Sequence, residues 1–275
     1  MRFWPGIKNK LTVQEIEHWD QYGFVVLKKC FSKAQMANAR QFLEQIWLDR
    51  PPLTIDAFLG TKHPQSGRQL FSQAAVEARD FVYKLNDAYL EFGYVRDLAL
   101  SDRITTTLSQ LIGEKPCICN SLIFERGSQQ DLHVDTYYMP PSPGGKLIVT
   151  SICLEDVHPN AGPVQYIPGS HLLPQYRNPD GGRHVRSLSD QKEADSMMAS
   201  KLAESGLAPQ TFLGKAGDVL IWHEELAHGG TPILDMSLTR KSLVTHYWGQ
   251  SCVPDGLRAK HKEGSYLNRE QQKTD

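Results

Sequence analysis

Apolar residues recur at helical spacing in the first part of the chain. Thr12 with Glu15, and Ser32 with Gln35, match the capping box, in which the cap and the third helical residue satisfy each other's backbone amides. A segment with apolar residues three and four apart follows each box. Each box therefore predicts the start of an amphipathic α-helix.

A short strand is predicted between these two helices, because Phe24–Leu27 is compact, apolar and rich in β-branched residues. Further helices are predicted over 74–90 and 101–112. The segment 1–115 is therefore expected to be mostly helical support for a core that lies later in the chain.

After Pro116 the pattern changes to short apolar runs separated by Gly and Pro turns, which is typical of an antiparallel sandwich or barrel. A polar segment near 189–206 interrupts it and is expected to be a helical insertion. No linker-like stretch separates helices from strands, so we expect a single α+β domain over 1–275, with its mainly β core at 116–250. The predicted strands are 118–124, 147–154, 164–167, 218–222 and 243–248.

Composition and charge exclude several classes of protein. The 275 residues carry 30 basic and 31 acidic side chains, a formal net charge of −1 that gives no electrostatic reason to bind nucleic acid. The apolar stretches are too short to span a bilayer, and the N-terminus lacks the apolar segment of a secretory signal. Five cysteines without a CxxC pair indicate reduced thiols rather than a zinc site. We therefore expect a cytoplasmic protein, with a small-molecule substrate and no nucleic-acid or membrane partner; the sequence does not reveal the oligomeric state.

The motif His133-Val134-Asp135 is the first candidate for chemistry. On an extended segment the two side chains lie on the same face and can chelate one divalent metal ion. His228, which follows the predicted strand 218–222, is a second histidine for the same ion. Two imidazoles and a carboxylate form a facial triad, which leaves three coordination positions open and suits non-haem Fe(II). His223 is the rival third ligand, but glycines follow His228 and permit the close backbone approach of a crowded site.

Arg240 stands twelve residues after His228, with Ser242 two residues further on the same strand face. If this strand pairs back beside the metal, the guanidinium can form two parallel hydrogen bonds with a carboxylate. A dicarboxylate cosubstrate would then bind the metal at one end and Arg240 at the other.

These motifs resemble the phytanoyl-CoA dioxygenase family of Fe(II)- and 2-oxoglutarate-dependent oxygenases. Several ordered motifs in one chain are more specific than any one of them. The matching segments are Tyr22–Leu27, His133–Asp135, Leu154–Val157, Gly162-Pro163, Ile167–His171, Gly217–Trp222, His228–Gly230 and Arg240–Ser242.

The resemblance implies a double-stranded β-helix, the cupin-like jelly roll, buttressed by N-terminal helices. It implies Fe(II) as cofactor, with 2-oxoglutarate and O₂ as cosubstrates. Arg240 and Ser242 would hold the distal carboxylate of 2-oxoglutarate, and Gln130 would hydrogen-bond it near the metal. Asp135 argues against the related halogenases, in which a small residue at that position makes room for halide.

The expected activity is hydroxylation of an unactivated C–H bond in a small polar metabolite, such as an amino acid, a betaine-like compound or an organophosphonate, with release of succinate and CO₂. Oxidative tailoring of a secondary metabolite or an acyl thioester by the same iron chemistry is the alternative. A non-catalytic metabolite-binding relative and a zinc hydrolase rank below both. Arg126 with Tyr137-Tyr138 is one candidate seat for an anionic or ammonium-bearing substrate.

Overall fold

A ten-stranded, almost entirely antiparallel sheet is the largest element of the fold. The computed structural model describes residues 9–57, 67–142 and 144–271. The helices in this part of the chain are α1 (Val13–Tyr22), α2 (Lys33–Asp49), α3 (Ala88–Glu91), α4 (Gly93–Ala99), α5 (Asp102–Ile112) and α6 (Leu188–Ser205). The strands are β1 (Phe24–Leu27), β2 (Thr54–Ala57), β3 (Gly67–Leu70), β4 (Lys84–Asn86), β5 (Pro116–Phe124), β6 (Leu147–Cys153), β7 (Val164–Tyr166), β8 (Gln210–Thr211), β9 (Val219–His223), β10 (His228–Gly230), β11 (Ser242–Gly249), β12 (Arg258–His261) and β13 (Gly264–Leu267).

The strands of the large sheet follow the order β1-β9-β6-β11-β5-β4-β2-β3, and the hairpin of β12 and β13 joins it beside β5. A small sheet has the order β10-β7-β8. Neighbouring strands of the large sheet come from distant parts of the sequence, as in a jelly roll. The α+β fold class and the jelly-roll architecture expected from the sequence are confirmed.

The two faces of the large sheet bury different partners, because successive side chains on a strand point to opposite faces. One face, with Ile123, Ile148 and Ile221, joins the N-terminal helices in the main apolar core. The other face, with Val149 and Trp222, forms a second core with residues of the small sheet. The space between the two sheets is where the site described below lies.

Both capping boxes are confirmed. The Thr12 and Ser32 hydroxyls accept from the backbone amides of Glu15 and Gln35, whose side chains accept in return from the cap amides. The structure also has a helix, α6, in the segment expected to be a polar insertion, and Ser187 caps its first turn.

The helix expected over 74–90 is wrong. Val76–Asp80 form a short 3₁₀ segment, Lys84–Asn86 form β4, and only Ala88–Glu91 are helical. β4 is a strand because β2 and β5 flank it and take up its backbone hydrogen bonds, so the tertiary neighbours override the local preference.

The expected boundary near residue 115 between helices and strands does not hold either. Besides the expected β1, strands β2, β3 and β4 come from before it, and β12 and β13 come from after residue 250. These strands join the sheet through pairing partners far away in sequence, which local patterns cannot reveal.

Within the described ranges, no helix combines the length and apolar content needed to cross a membrane. All five cysteines are free thiols, and Cys117, Cys119 and Cys153 are buried.

Candidate metal centre

A pair of reciprocal backbone hydrogen bonds brings His133 and His228 together. The amide of His133 donates to the carbonyl of His228 over 2.9 Å, and the amide of His228 donates back over 3.0 Å. Residues paired in this way project their side chains to the same face of the ladder. The two imidazole ring centres therefore lie 4.4 Å apart, although 95 residues separate them in sequence.

Asp135 lies at the start of a short 3₁₀ turn, two residues after His133. Its Oδ1 is 3.9 Å from Nε2 of His133, and its Oδ2 is 3.5 Å from Nε2 of His228. One potential ligand atom from each of the three residues lies within 4.8 Å of the others, and all three residues are buried. The structure thus brings together the three residues that the sequence analysis chose as metal ligands.

Both imidazoles are oriented with Nε2 towards this point. Nδ1 of His133 lies 2.8 Å from the carbonyl oxygen of Asp131, and Nδ1 of His228 lies 2.9 Å from that of Leu226. A carbonyl can only accept, so each Nδ1 carries the proton and each Nε2 keeps a lone pair for a metal. Burial, followed by the nearby His228, lowers the pKa of His133 to about 4, which keeps that ring neutral at pH 7.

The Asp135 carboxylate is held from two sides. Nε1 of Trp222 donates to Oδ2 over 2.8 Å, and Nε2 of His246 lies 3.3 Å from Oδ1. Burial opposes ionisation of Asp135, but the neighbouring His228 and His246 outweigh it, so the pKa of Asp135 lies well below its usual value. The carboxylate is therefore ionised and fixed in orientation.

The glycines after His228 are required by the close approach of a neighbouring segment. A Cβ atom on Gly229 would lie 2.7 Å from the carbonyl oxygen of Gln130, and one on Gly230 would lie 2.6 Å from Oγ of Ser128. Side chains here would push the His133 segment away from β10. This confirms the expected role of the two glycines.

Arg240 is a buried cation that lacks an anionic partner. Only 4% of the residue is exposed, its Nε has no hydrogen-bond partner among the described residues, and no described carboxylate forms an ion pair with it. Burial lowers its pKa to about 10, so the guanidinium remains charged at neutral pH. Oγ of Ser242, at the start of β11, is likewise buried without a partner in the described part of the chain. A buried charge is costly unless it is paired, so these groups fit a carboxylate ligand.

The metal ligands and Arg240 line one cavity of about 430 Å³ between the two sheets. Gln130 also lines it, whereas Ser242 lies on β11 and is not part of the cavity wall. The remaining wall is a mixture of apolar and polar side chains: Arg68, Lys84, Asn86, Asn120, Leu122, Phe124, Ser128, Tyr138, Met139, Val164, Trp222, Gly229, Val244 and His246.

Two histidines considered in the sequence lie elsewhere. Nδ1 of His223 accepts from the amide of Glu225, and its ring packs against Trp19 and His171, so it is not part of the triad. His171 contacts the backbone of Asp20. The preceding Ser170 accepts from the amide of Ala227 over 2.9 Å and so supports the segment that carries His228.

The substrate seat suggested by Arg126 and the two tyrosines is not assembled. Arg126 donates to the carbonyls of Met236 and Leu238 and does not line the cavity. Tyr137 is buried in a separate apolar cluster, and only Tyr138 reaches the cavity.

The sequence analysis missed two residues that contact the centre. Trp222 is named there only as the end of a segment that matches the family, and His246 is not named. The alternation of strand side chains could have revealed His246, because it lies four residues after Ser242 on β11 and thus on the same face.

The model of the family "Phytanoyl-CoA dioxygenase (PhyH)" matches residues 19–240. Among curated proteins, no sequence matches at a significant level.

The solved structures that share the fold at low sequence identity include the following three. A non-heme alpha ketoglutarate dependent carbocyclase, SnoK from nogalamycin biosynthesis, has a TM-score of 0.68 and 17% identity, over 92% of this chain and 88% of its own. EctD from S. alaskensis in its apoform has a TM-score of 0.63 and 18% identity, over 95% and 88%. HygX from Streptomyces hygroscopicus, solved with nickel and 2-oxoglutarate bound, has a TM-score of 0.57 and 16% identity, over 94% and 98%.

The family model covers most of the chain, and its match includes the triad and Arg240. Two imidazoles with Nε2 turned to one point, an ionised carboxylate and an unpaired buried guanidinium fit the Fe(II) and 2-oxoglutarate of that family. The chain therefore belongs to the phytanoyl-CoA dioxygenase family and is an Fe(II)- and 2-oxoglutarate-dependent enzyme.

Proposed function

We propose that this enzyme hydroxylates an unactivated C–H bond of a small polar metabolite. The observation that carries the proposal is the buried, unpaired guanidinium of Arg240 in the same cavity as the clustered ligand atoms of His133, Asp135 and His228. A metal site alone fits many reactions. A metal site beside an unmatched buried cation fits a reaction that uses a dicarboxylate.

The three clustered residues would hold Fe(II) from one side and leave positions for other ligands. When bound, the ion with 2-oxoglutarate supplies the oxidising chemistry: O₂ is reduced, 2-oxoglutarate becomes succinate and CO₂, and one oxygen atom enters the substrate C–H bond. The protein provides binding, orientation and a water-poor cavity.

Arg240 would bind the distal carboxylate of 2-oxoglutarate through charge-assisted hydrogen bonds. The unpartnered Oγ of Ser242 is available as a further donor to the same carboxylate. Gln130 lines the cavity and is proposed to hydrogen-bond the cosubstrate nearer the metal. The burial of Arg240 and Ser242 and the position of Gln130 in the cavity wall support these three assignments.

Two features support hydroxylation of a small molecule. Asp135 supplies a carboxylate at the position that a small residue occupies in the related halogenases. This carboxylate leaves no room for a halide ion beside the metal. The cavity of about 430 Å³ is at the small end of ligand pockets and must hold 2-oxoglutarate as well.

The alternative is oxidative tailoring of a larger secondary metabolite or an acyl thioester by the same chemistry. Its support is that structures with this fold include a carbocyclase and an epimerase from nogalamycin biosynthesis. The small cavity favours the first proposal.

The test is Fe(II)-dependent formation of succinate from 2-oxoglutarate, with His228→Ala compared against His223→Ala. The proposal expects slow succinate formation by the wild type even without substrate, a loss of at least about 100-fold in His228→Ala, and rates within about twofold of wild type in His223→Ala. Equal rates in the two variants would contradict the ligand assignment. Absence of Fe(II)-dependent succinate from the wild type would contradict the proposed activity.

A further inference from the structure

The two segments that carry the proposed metal ligands bury apolar side chains on the side away from the metal. Val134 lies between His133 and Asp135, and its φ of −123° and ψ of 140° are those of an extended strand. Successive side chains of an extended chain point in opposite directions, so Val134 points away from the two ligands. Val134 is 1% exposed, and Ala227, the residue before His228, is 2% exposed. Both ligand segments therefore have a buried reverse side.

A separate group of apolar residues covers this reverse side, and we call it the rear cluster. It combines residues of the two ligand segments with residues of the connection after β7 and of α6. Its members are Leu132, Val134, Tyr137, Ile167, Tyr176, Val185, Ala194, Met197, Met198, Leu202 and Ala227. Neither of the other two apolar cores in the described part of the chain shares a member with it. The rear cluster is therefore a small core of its own between α6 and the ligand segments.

Helix α6 contributes to the rear cluster through one stripe of side chains. The stripe residues recur at helical spacing and are Ala194, Met197, Met198 and Leu202. Ala194 is the one residue of α6 that is fully buried. Met198 lines a void of about 10 Å³ together with Val134 and Ala227. A void of this size is at the lower limit for one water molecule, so α6 packs directly on the reverse side of both ligand segments.

Hydrogen bonds also join the turn after Asp135 to α6 and to the chain that leads into it. The carbonyl of Tyr137 accepts from the amide of Val185 over 2.9 Å, and its hydroxyl accepts from the amide of Tyr176 over 3.3 Å. The hydroxyl of Tyr138 donates to Oε1 of Gln191 on α6 over 3.5 Å. A displacement of α6 would therefore disturb the segment that carries Asp135.

The docking of α6 depends on the rear cluster, because the apolar side chains that α6 buries all belong to it. A helix held by so few buried contacts opens locally at a small cost in free energy. A metal ion bound by both His133 and His228 would fix the two segments on which α6 packs. Fixing these segments favours docking of α6, and by thermodynamic linkage docking of α6 favours metal binding by the same factor.

We propose that α6 is a clamp on the metal centre: docking of α6 and binding of Fe(II) stabilise each other. Met198 is the positioning residue of this clamp, because it joins α6 to Val134 and Ala227 behind the ligands. The inference rests on the proposed metal ligands. It gives a role in metal binding to a helix that the sequence alone presents only as a polar insertion.

The first test is hydrogen exchange of the anaerobic wild-type protein, with and without saturating Fe(II), followed by mass spectrometry. We expect Fe(II) to slow exchange of the α6 amides at least about fivefold. Helix α1 is the matched control, because it too has a single buried residue, Trp19, which packs in the main apolar core. Its exchange should change less than about twofold. In His228→Ala, Fe(II) should leave exchange in α6 unchanged.

The second test measures the Kd for Fe(II) by anaerobic equilibrium dialysis. Met198→Ala should raise this Kd about tenfold, whereas Met198→Leu, which conserves the volume, should stay within about threefold of wild type. Met36→Ala is the control, because Met36 is a fully buried methionine of α2 in the main apolar core. It removes more buried packing than Met198→Ala, but its Kd for Fe(II) should stay within about twofold of wild type.

The clamp is contradicted if the wild type binds Fe(II) without slower exchange in α6. It is also contradicted if Met198→Ala binds Fe(II) as tightly as wild type, or if Met36→Ala weakens binding as much, since the effect would then be one of general stability. Failure of the wild type to bind Fe(II) at all would instead contradict the proposed metal centre itself.

Discussion

The indole Nε1 of Trp222 donates a 2.8 Å hydrogen bond to Oδ2 of Asp135. Trp222 lies on β9, 87 residues after Asp135 in the sequence. His246 approaches the other oxygen of the same carboxylate. Both partners come from the rigid large sheet, whereas Asp135 lies in a loop. The sheet therefore fixes the orientation of a ligand that the loop alone would leave variable.

Trp222→Phe removes the hydrogen bond to Asp135 and preserves most of the ring packing. We expect the affinity for Fe(II) to fall about 10- to 100-fold, because outer partners of metal ligands usually have effects of this size. Metal titration monitored by the anaerobic visible spectrum measures this change. Trp47→Phe is the control, since it removes another buried indole donor, to Tyr83, and neither residue lines the cavity. Equal Fe(II) affinities in Trp222→Phe and the wild type would show that the hydrogen bond does not orient the ligand.

Arg240→Met should have opposite effects on cosubstrate binding and on stability. The Kd for 2-oxoglutarate should rise at least about 30-fold, because a buried charge-assisted pair is lost. The free energy of unfolding without ligands should increase by about 1 kcal/mol or more, since an uncompensated buried charge is removed. Calorimetric titration and denaturant unfolding measure the two quantities.

Arg79→Met provides the contrast for Arg240→Met. Arg79 is paired with Glu125 and Glu44, so its removal should leave the buried Glu125 with only Lys241, at 3.9 Å, as a cation and lower the free energy of unfolding by about 3 kcal/mol. If Arg240→Met also destabilises the ligand-free protein, then the Arg240 guanidinium is paired within the protein and is not left unpaired for a ligand.

Glu224 should make the stability of the protein depend on pH. It is fully buried, 3.1 Å from Arg183, and Glu225 shares the same guanidinium. Burial raises its pKa from 4.5 to about 7, with Arg183 opposing the change. Because the folded state binds this proton more tightly than the unfolded state, its contribution to stability is complete below about pH 4.5 and is lost as the pH rises to 7.

The Glu224→Gln variant mimics the protonated form and should remove this loss. Between pH 4.5 and 7.5, the free energy of unfolding of the wild type should fall relative to that of the variant by on the order of 2 to 3 kcal/mol. Denaturant unfolding across this range gives the difference, and the exposed Glu263→Gln should follow the wild type. Parallel profiles for wild type and Glu224→Gln would mean that Glu224 is ionised when buried.

The residues of the centre could be predicted because their signals are local or ordered along the chain. His133 and Asp135 are two residues apart, and Arg240 with Ser242 shows the same spacing. The capping boxes at Thr12 and Ser32 are likewise complete within four residues. In these cases the spacing of the residues along the chain fixes the direction of their side chains, and this direction shows which side chains act together.

The remaining features depend on sheet register, which the sequence does not display. Lys84 was placed in a helix, and only pairing with Asp56 and Phe124 shows that it is a strand residue facing the cavity. Trp222 resembles any core aromatic until β9 is seen beside Asp135. The prediction of a substrate seat at Arg126 failed for the same reason, because the backbone carbonyls that bind Arg126 belong to a distant loop.

The central claim is that His133, Asp135 and His228 bind one Fe(II) beside a 2-oxoglutarate held by Arg240. Anaerobic addition of Fe(II) and 2-oxoglutarate, followed by visible spectroscopy, tests it most directly. We expect a weak charge-transfer band that saturates at one Fe(II) per chain in the wild type and in His223→Ala and is absent in His228→Ala. A band of equal intensity in His228→Ala, or no band in the folded wild-type protein, would contradict it.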